Sequence, residues 1–108
     1  VLGLPTEREQ DFRDGKVSFP SVRINAETLI DLFPQDTPGA PPGPSPLHHL
    51  CLALEKADWD ALRQRLERHG VSIQEGPVSR WGARGQATSI YFQDPEGNPV
   101  EARYYPAE

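Results

Sequence analysis

A histidine on a short apolar segment is the first residue of this sequence that could do chemistry. The segment from Leu47 to Leu54 (LHHLCLAL) has the composition of a β-strand. Because strand side chains alternate between two faces, His49 and Cys51 would lie opposite the leucines. His48 would point to the other side, and its adjacency would be incidental. The alternative to a metal ligand at His49 is a core histidine. Cys51 is interpreted as a cavity-lining or core residue rather than a nucleophile, because no base is evident beside it.

A glutamate near the end of the chain lies on a second predicted strand, Pro99–Tyr105. Glu101 would share its face with Arg103, while Val100 and Ala102 would face the other way. A histidine nitrogen and carboxylate oxygens together suit a borderline divalent ion such as Zn²⁺, Mn²⁺, Fe²⁺, Ni²⁺ or Co²⁺, and ligand types do not choose among these ions. The alternative is that Glu101 only pairs with Arg103 on a solvated face.

The composition limits the possible partners and compartments. A length of 108 residues, with 36% hydrophobic and 25% charged residues, suits one folded domain. The net charge of −5 and the absence of a lysine- or arginine-rich run argue against a nucleic acid or an anionic membrane surface as partner. The single cysteine, Cys51, excludes an intrachain disulfide and indicates a cytoplasmic location. No apolar run is long enough to span a bilayer.

The second half of the chain is predicted to have the element order β-α-β-β-β. A helix should follow the His49 strand, with Asp58 as its N-cap and Gly70 just past its end. The apolar stripe of this helix is Trp59, Leu62 and Leu66. The remaining elements are a strand at 71–73, a loop at 75–86, a strand at 88–93, a turn at 94–98 and a last strand at 99–105.

The first half resembles the same unit with its front removed. Leu2-Gly3-Leu4 is similar to His69-Gly70-Val71, and strands are predicted at 16–24 and 28–33 around a turn at 25–27. Gly3 and Asp31 are 28 positions apart, and Gly70 and Glu101 are 31 apart. A shorter hairpin turn in the first half would absorb most of that difference.

A proline-rich segment separates the two halves. Six of the thirteen residues at 34–46 are proline, so neither a helix nor a sheet can use this segment. An exposed linker is therefore expected, and the alternative of a proline-rich peptide ligand lacks a flanking arginine. The predicted organisation is one domain, 1–108. It contains a partial first module at 1–33, the linker at 34–46 and a complete second module at 47–108.

The segments LHHLCLAL and SIYFQDPEGNPVEARYY resemble the glyoxalase/bleomycin-resistance/dioxygenase superfamily, also called vicinal oxygen chelate proteins. DPEGN followed by xxE is the most telling part. The resemblance implies an α+β fold in which paired βαβββ modules form a curved open mixed sheet around a cleft. The first module would be incomplete at its N-terminus in this chain.

The resemblance also implies a metal site. The family takes ligands from the first and last strands of each module, so His49 and Glu101 are the expected metal ligands of module two and Asp31 that of module one. The remaining ligand, a histidine or glutamine, is expected upstream of Val1. Glu101 is also the catalytic candidate, because a carboxylate at the ion could move a proton. An ion with open positions could hold two adjacent substrate oxygens and stabilise an enolate-like charge.

The expected substrate contacts rest on the same analogy. Arg80, Trp81 and Arg84 would lie in a loop near the cleft, where they could bind an anionic substrate, and Arg103 on the Glu101 face is a further candidate. The alternative for Trp81 is a cap on the core.

Three functions follow from the resemblance. The first is a divalent-metal-dependent lyase or isomerase, similar to lactoylglutathione lyase, with ring-cleaving dioxygenation as a related outcome. The second is a metal-free module that binds a small molecule or drug, as bleomycin-resistance proteins do. The third is a partial domain used for assembly. A small-molecule substrate and a homodimer are the expected partners, because the family often completes its clefts between chains.

Overall fold

The computed structural model describes residues 3–34 and 48–107. The chain divides into two compact units, Val1–Pro44 and Ser45–Glu108. Each unit has an open sheet, of three strands in the first and four in the second, and the fold is α+β as the resemblance implied. The predicted linker at 34–46 lies almost wholly outside the described residues. In chain order, the elements are β1 (Thr6–Glu7), α1 (Glu9–Arg13), β2 (Ser21–Asn25), β3 (Thr28–Asp31), β4 (Leu50–Ala53), α2 (Lys56–Arg68), β5 (Glu75–Gly82), β6 (Gly85–Gln93) and β7 (Pro99–Tyr104).

The sheet of the first unit is antiparallel, in the order β1-β2-β3. The β2–β3 hairpin turns at Ala26-Glu27, as predicted. The predicted strand at 16–24 is too long, because β2 begins only at Ser21, just after Pro20, which cannot donate to a sheet. The short β1 and α1 were not predicted from the sequence.

The sheet of the second unit has the order β4-β7-β6-β5, with β4 parallel to β7 and the other pairs antiparallel. The element order is β-α-β-β-β as predicted, but its second strand is β5 rather than the predicted segment 71–73. Helix α2 packs on one face of the sheet through Trp59 and Leu66, which are 2% and 9% exposed. Trp59 donates its indole N–H to the carbonyl of Ala102 at 2.9 Å, which fixes the helix to β7. The partly buried residues around this core are Leu54, Leu62, Val71, Ile73, Phe92 and Tyr104.

Three predictions in the second unit are wrong. The N-cap of α2 is Glu55 rather than Asp58, so the helix begins earlier than predicted. Residues 71–73 form no strand, and Val71 and Ile73 instead pack against the core from an irregular segment. The predicted loop at 75–86 is mostly strand, because β5 is an edge strand that tolerates glycine, proline and charged residues. Gly70 does follow the helix, with φ +70°.

The layout of the two units agrees with an internal repeat. Gly3 and Gly70 both have φ +70°. Asp31 pairs with Ser21 in the first unit, and Glu101 pairs with Tyr91 in the second, each partner standing ten residues earlier. Two residues separate the last pair of the β2–β3 hairpin, Asn25 and Thr28, whereas the turn 94–98 contains five. The difference between these turns does not account for the spacings of 28 and 31, because the paired positions are ten residues apart in both units. The extra three positions lie before the hairpin, where Gly3 and Ser21 are 18 positions apart and Gly70 and Tyr91 are 21 apart. The prediction that a shorter hairpin turn absorbs the difference is therefore wrong.

Candidate functional site

The face of the second sheet opposite helix α2 carries the polar residues. In register, Cys51 of β4 lies beside Glu101 of β7, and Tyr91 of β6 lies on the other side of Glu101. His49 precedes Cys51 by two positions, just before β4 begins, so strand alternation points it to the same face. We call His49, Cys51, Tyr91, Glu101 and Arg103 the polar face.

The imidazole of His49 and the carboxylate of Glu101 meet on this face. His49 Nε2 is 3.0 Å from Glu101 Oε1, and the two side chains are 15% and 2% exposed. The ring of His49 also meets the ring of Tyr91 edge-on, with centroids 5.8 Å apart. His48 was expected to point away, but its Nδ1 lies 2.7 Å from Nδ1 of His49. The two histidine side chains therefore contact each other, and the expectation that their adjacency is incidental was wrong.

A buried arginine holds the other oxygen of the same carboxylate. Arg103 is 6% exposed, and its Nη2 donates to Glu101 Oε2 at 2.6 Å. Burial alone would raise the pKa of Glu101. The hydrogen bond with His49, the nearby Ser89 hydroxyl and the Arg103 guanidinium outweigh that effect and lower this pKa from 4.5 to about 2. Burial opposes the charge of Arg103 as well, but the negative charges around it raise its pKa.

Two other members of the polar face remain protonated at neutral pH. Burial and the neighbouring charge of Glu101 raise the pKa of Tyr91 to about 12, although Arg80 opposes this. Desolvation likewise raises the pKa of Cys51 to about 12, even though the residue as a whole is solvent-exposed. Cys51 is therefore a poor nucleophile, in agreement with its interpretation as a lining residue. Tyr91 was missed by the sequence reasoning, and only the β6–β7 register identifies it.

The candidate substrate-binding residues lie on or next to β5, not in a loop. Arg80 belongs to β5, forms a salt bridge with Glu75 and has its guanidinium carbon 5.8 Å from the ring centre of Tyr91. Trp81 is the next residue of this strand, so it points to the face opposite Arg80. Arg84 lies in the two-residue turn between β5 and β6. The loop prediction is wrong because residues 75–86 form a tight hairpin of β5 and β6. Whether Arg80, Trp81 or Arg103 contacts a substrate stays a prediction.

Asp31 lies in the first unit, at the end of β3. Its Oδ1 accepts a hydrogen bond from the hydroxyl of the buried Ser21 at 2.5 Å. This bond occupies one oxygen of the carboxylate. Its assignment as a ligand stays a prediction.

The family of the chain follows from comparison with known proteins. A family model described as Glyoxalase/Bleomycin resistance protein/Dioxygenase superfamily matches residues 1–102. The chain belongs to this superfamily. It is 41% identical over 56 residues to the glyoxalase domain-containing protein RDO1 of Mycosarcoma maydis, and 43% identical over 56 residues to virulence protein STM3117 of Salmonella typhimurium. Each match covers 52% of this chain and about a third of the relative, 31% and 38% respectively.

Solved structures include similar chains. An integron cassette protein from the mobile metagenome of V. cholerae is 31% identical, with a TM-score of 0.48; the match covers 82% of this chain and 70% of that one. A glyoxalase/dioxygenase from Nostoc punctiforme is 21% identical, with a TM-score of 0.48, over 98% of this chain and 77% of that one.

The polar face of this glyoxalase-superfamily chain carries nitrogen and oxygen atoms that can coordinate divalent ions. Two donors 3.0 Å apart, such as His49 Nε2 and Glu101 Oε1, can both reach one ion at about 2.1 Å, roughly at a right angle. Within residues 3–34 and 48–107, no group of three or more histidine, cysteine, aspartate or glutamate side chains is arranged to hold a metal ion. The described residues thus supply two fitting donors, and metal binding by His49, Glu101 and Asp31 stays a prediction.

Neither helix of the described residues could span a membrane. In the described part of this superfamily member, neither α1 nor α2 is long and apolar enough to cross a bilayer.

Proposed function

We propose that this chain contributes His49 and Glu101 to a divalent-metal site of a lyase or isomerase similar to lactoylglutathione lyase. The observation that carries the proposal is the 3.0 Å approach of His49 Nε2 to Glu101 Oε1. These two side chains come from the start and the end of one βαβββ module, and they share a face that helix α2 does not cover. The substrate would be a small molecule with two adjacent oxygens.

The residues of the polar face are better suited to binding a metal ion and a substrate than to removing a proton from the substrate. A bound divalent ion would supply Lewis-acid stabilisation of negative charge on the substrate. A general base works best when its pKa lies near the working pH. With a pKa of about 2, Glu101 is a weak base as it stands, so its first role is that of an anionic donor. The Tyr91 hydroxyl, protonated at neutral pH, can donate a hydrogen bond to a substrate oxygen.

The rest of the site would come from outside the polar face. Asp31 and a histidine or glutamine from another segment or chain are the proposed further ligands. A homodimer is proposed because Leu50 and Leu52 on the terminal strand of the sheet are 57% and 45% exposed. Sedimentation of the full-length protein should show a dimer that Leu50→Ser weakens, and a monodisperse monomer would remove this part of the proposal. The single cysteine supports a reducing compartment such as the cytoplasm.

Calorimetric titration of the metal-free, full-length protein with Co²⁺ tests the metal site. His49→Ala and Glu101→Gln should each weaken Co²⁺ binding by about ten- to a hundredfold. His69→Ala is the control, because this exposed histidine follows helix α2 and is remote in sequence from both ligands. Unchanged affinity in both site variants would remove the assignment. Conversion of a glutathione hemithioacetal by the metal-loaded protein would then test the lyase activity.

A metal-free binding function is the second candidate. It is favoured by the ion pair that Glu101 already makes with Arg103, which occupies one oxygen of the proposed ligand. No Co²⁺ binding by the wild type, together with unchanged stability in a chelator, would support drug or small-molecule sequestration. Turnover of a catechol by an Fe²⁺- or Mn²⁺-loaded protein would instead indicate ring-cleaving dioxygenation.

A further inference from the structure

The guanidinium of Arg103 lies directly against the backbone of Gly82. A Cβ atom at position 82 would stand 1.7 Å from Arg103 Nη1 and 2.8 Å from both the guanidinium carbon and the Tyr105 hydroxyl. Gly82 does not have a positive φ, so its backbone conformation does not require glycine. Glycine at position 82 is therefore required for the space that it leaves and not for its backbone conformation. It leaves room for the charged end of Arg103, which comes from β7, against the backbone of β5.

The hydrogen bonds of Arg103 show how its guanidinium is oriented in this space. Nη2 donates to Glu101 Oε2 at 2.6 Å, and Nη1 donates to the Tyr105 hydroxyl at 3.3 Å. The buried Nε has no hydrogen-bond partner within the described residues. An orphaned donor is unfavourable for stability, so stability alone does not explain a buried arginine here. The guanidinium is oriented by Gly82 and Tyr105 toward one oxygen of Glu101.

We infer that Arg103, held in place over Gly82, is the positioning residue of Glu101. It binds Oε2 and thereby leaves Oε1 as the only carboxylate oxygen directed at His49. Without this contact the carboxylate would rotate about its last bond, because that terminal torsion is soft. A planar arginine can fix the plane of a carboxylate in a way that a point charge such as lysine does less well. Only the effect on a metal ion rests on the proposed function; the effect on His49 does not.

The first test measures His49 in the metal-free, full-length protein. Long-range ¹H–¹⁵N spectra report which ring nitrogen carries the proton, and a purely structural role of Arg103 would not change that distribution in a folded variant. Arg103→Met should shift the two nitrogen resonances of His49, and Arg103→Lys should restore part of the wild-type pattern. Arg65→Met, on the exposed side of α2, removes the same charge and should leave the pattern unchanged. Unchanged His49 resonances in folded Arg103→Met would overturn the inference.

The second test asks whether Gly82 acts through Arg103. Gly82→Ala and Arg103→Met should each weaken Co²⁺ binding by about ten- to a hundredfold. In an Arg103→Ala background the added methyl group meets no guanidinium, so Gly82→Ala should then change the affinity less than about twofold. Equal effects of Gly82→Ala in both backgrounds would refute the link. If the wild type binds no Co²⁺, the proposed function fails, and the His49 spectra of Gly82→Ala and Arg103→Met still decide the inference.

Discussion

Replacing Glu101 with glutamine should destabilise the protein by an amount that shrinks as the pH falls. The pKa of Glu101 is about 2 in the folded state and 4.5 ordinarily, so its ionised form stabilises the folded chain above pH 4.5. At about 1.4 kcal/mol per pKa unit, this shift corresponds to about 3 kcal/mol of unfolding free energy at pH 7. The side chain is only 2% exposed, so solvent screening reduces this little. Below pH 4.5 the unfolded chain takes up the proton first, and roughly 2 kcal/mol of this stabilisation is lost by pH 3.

Urea unfolding followed by tryptophan fluorescence measures this prediction. The difference in unfolding free energy between the wild type and Glu101→Gln should be about 3 kcal/mol at pH 7 and about 1 kcal/mol at pH 3. Glu96→Gln is the matched control, because Glu96 is exposed in the turn before β7. It should stay within about 0.5 kcal/mol of the wild type throughout. A difference for Glu101→Gln that is the same at both pH values would refute the reasoning, since the loss would then come from packing rather than charge.

Three further predictions concern the second unit. Trp59→Phe removes the indole donor to the buried Ala102 carbonyl and should cost about 1–3 kcal/mol in urea unfolding; a cost below about 0.5 kcal/mol would contradict the role of this bond. Gly70→Ala should cost about 1 kcal/mol through its φ of +70° alone, because a Cβ there meets nothing within 4 Å, and an unchanged melting temperature would contradict it. Cys51, with its pKa raised to about 12, should react with iodoacetamide at pH 8 roughly a thousandfold more slowly than in urea, and equal rates would show an accessible thiolate.

The sequence predicted the fold best where local signals agree with the tertiary structure. Strands β6 and β7 flank a turn with proline and glycine, β7 alternates apolar and charged residues, and helix α2 has a regular apolar stripe, so their existence was predicted correctly. Strand β5 has no such signal. As an edge strand it carries glycine, proline and charge, which in a single sequence are typical of a loop. Neighbouring strands, rather than local composition, determine its conformation.

The same distinction applies to the polar face. Strand alternation was sufficient to predict that His49 and Glu101 share a face, because each residue needs only its own strand for that argument. Tyr91 and Gly82 could not be found in this way. Their relevance depends on the register between β6 and β7 and on the approach of β5 to the Arg103 side chain, and neither is encoded locally. The burial of the Glu101–Arg103 pair could not be predicted locally either, so a solvated pair was a reasonable alternative.

The register also shows how the two units differ at equivalent positions. Asp31 in the first unit stands where Glu101 stands in the second, each paired with a residue ten positions earlier. Two positions after Asp31 is Phe33, which packs on Phe19 with ring centroids 4.5 Å apart; two positions after Glu101 is Arg103. The carboxylate of the first unit therefore accepts a hydrogen bond from a neutral hydroxyl, that of Ser21, while the carboxylate of the second is held by a buried cation. The same strand pairing thus places a carboxylate in both units, while the side chain two positions later, Phe33 or Arg103, differs between them.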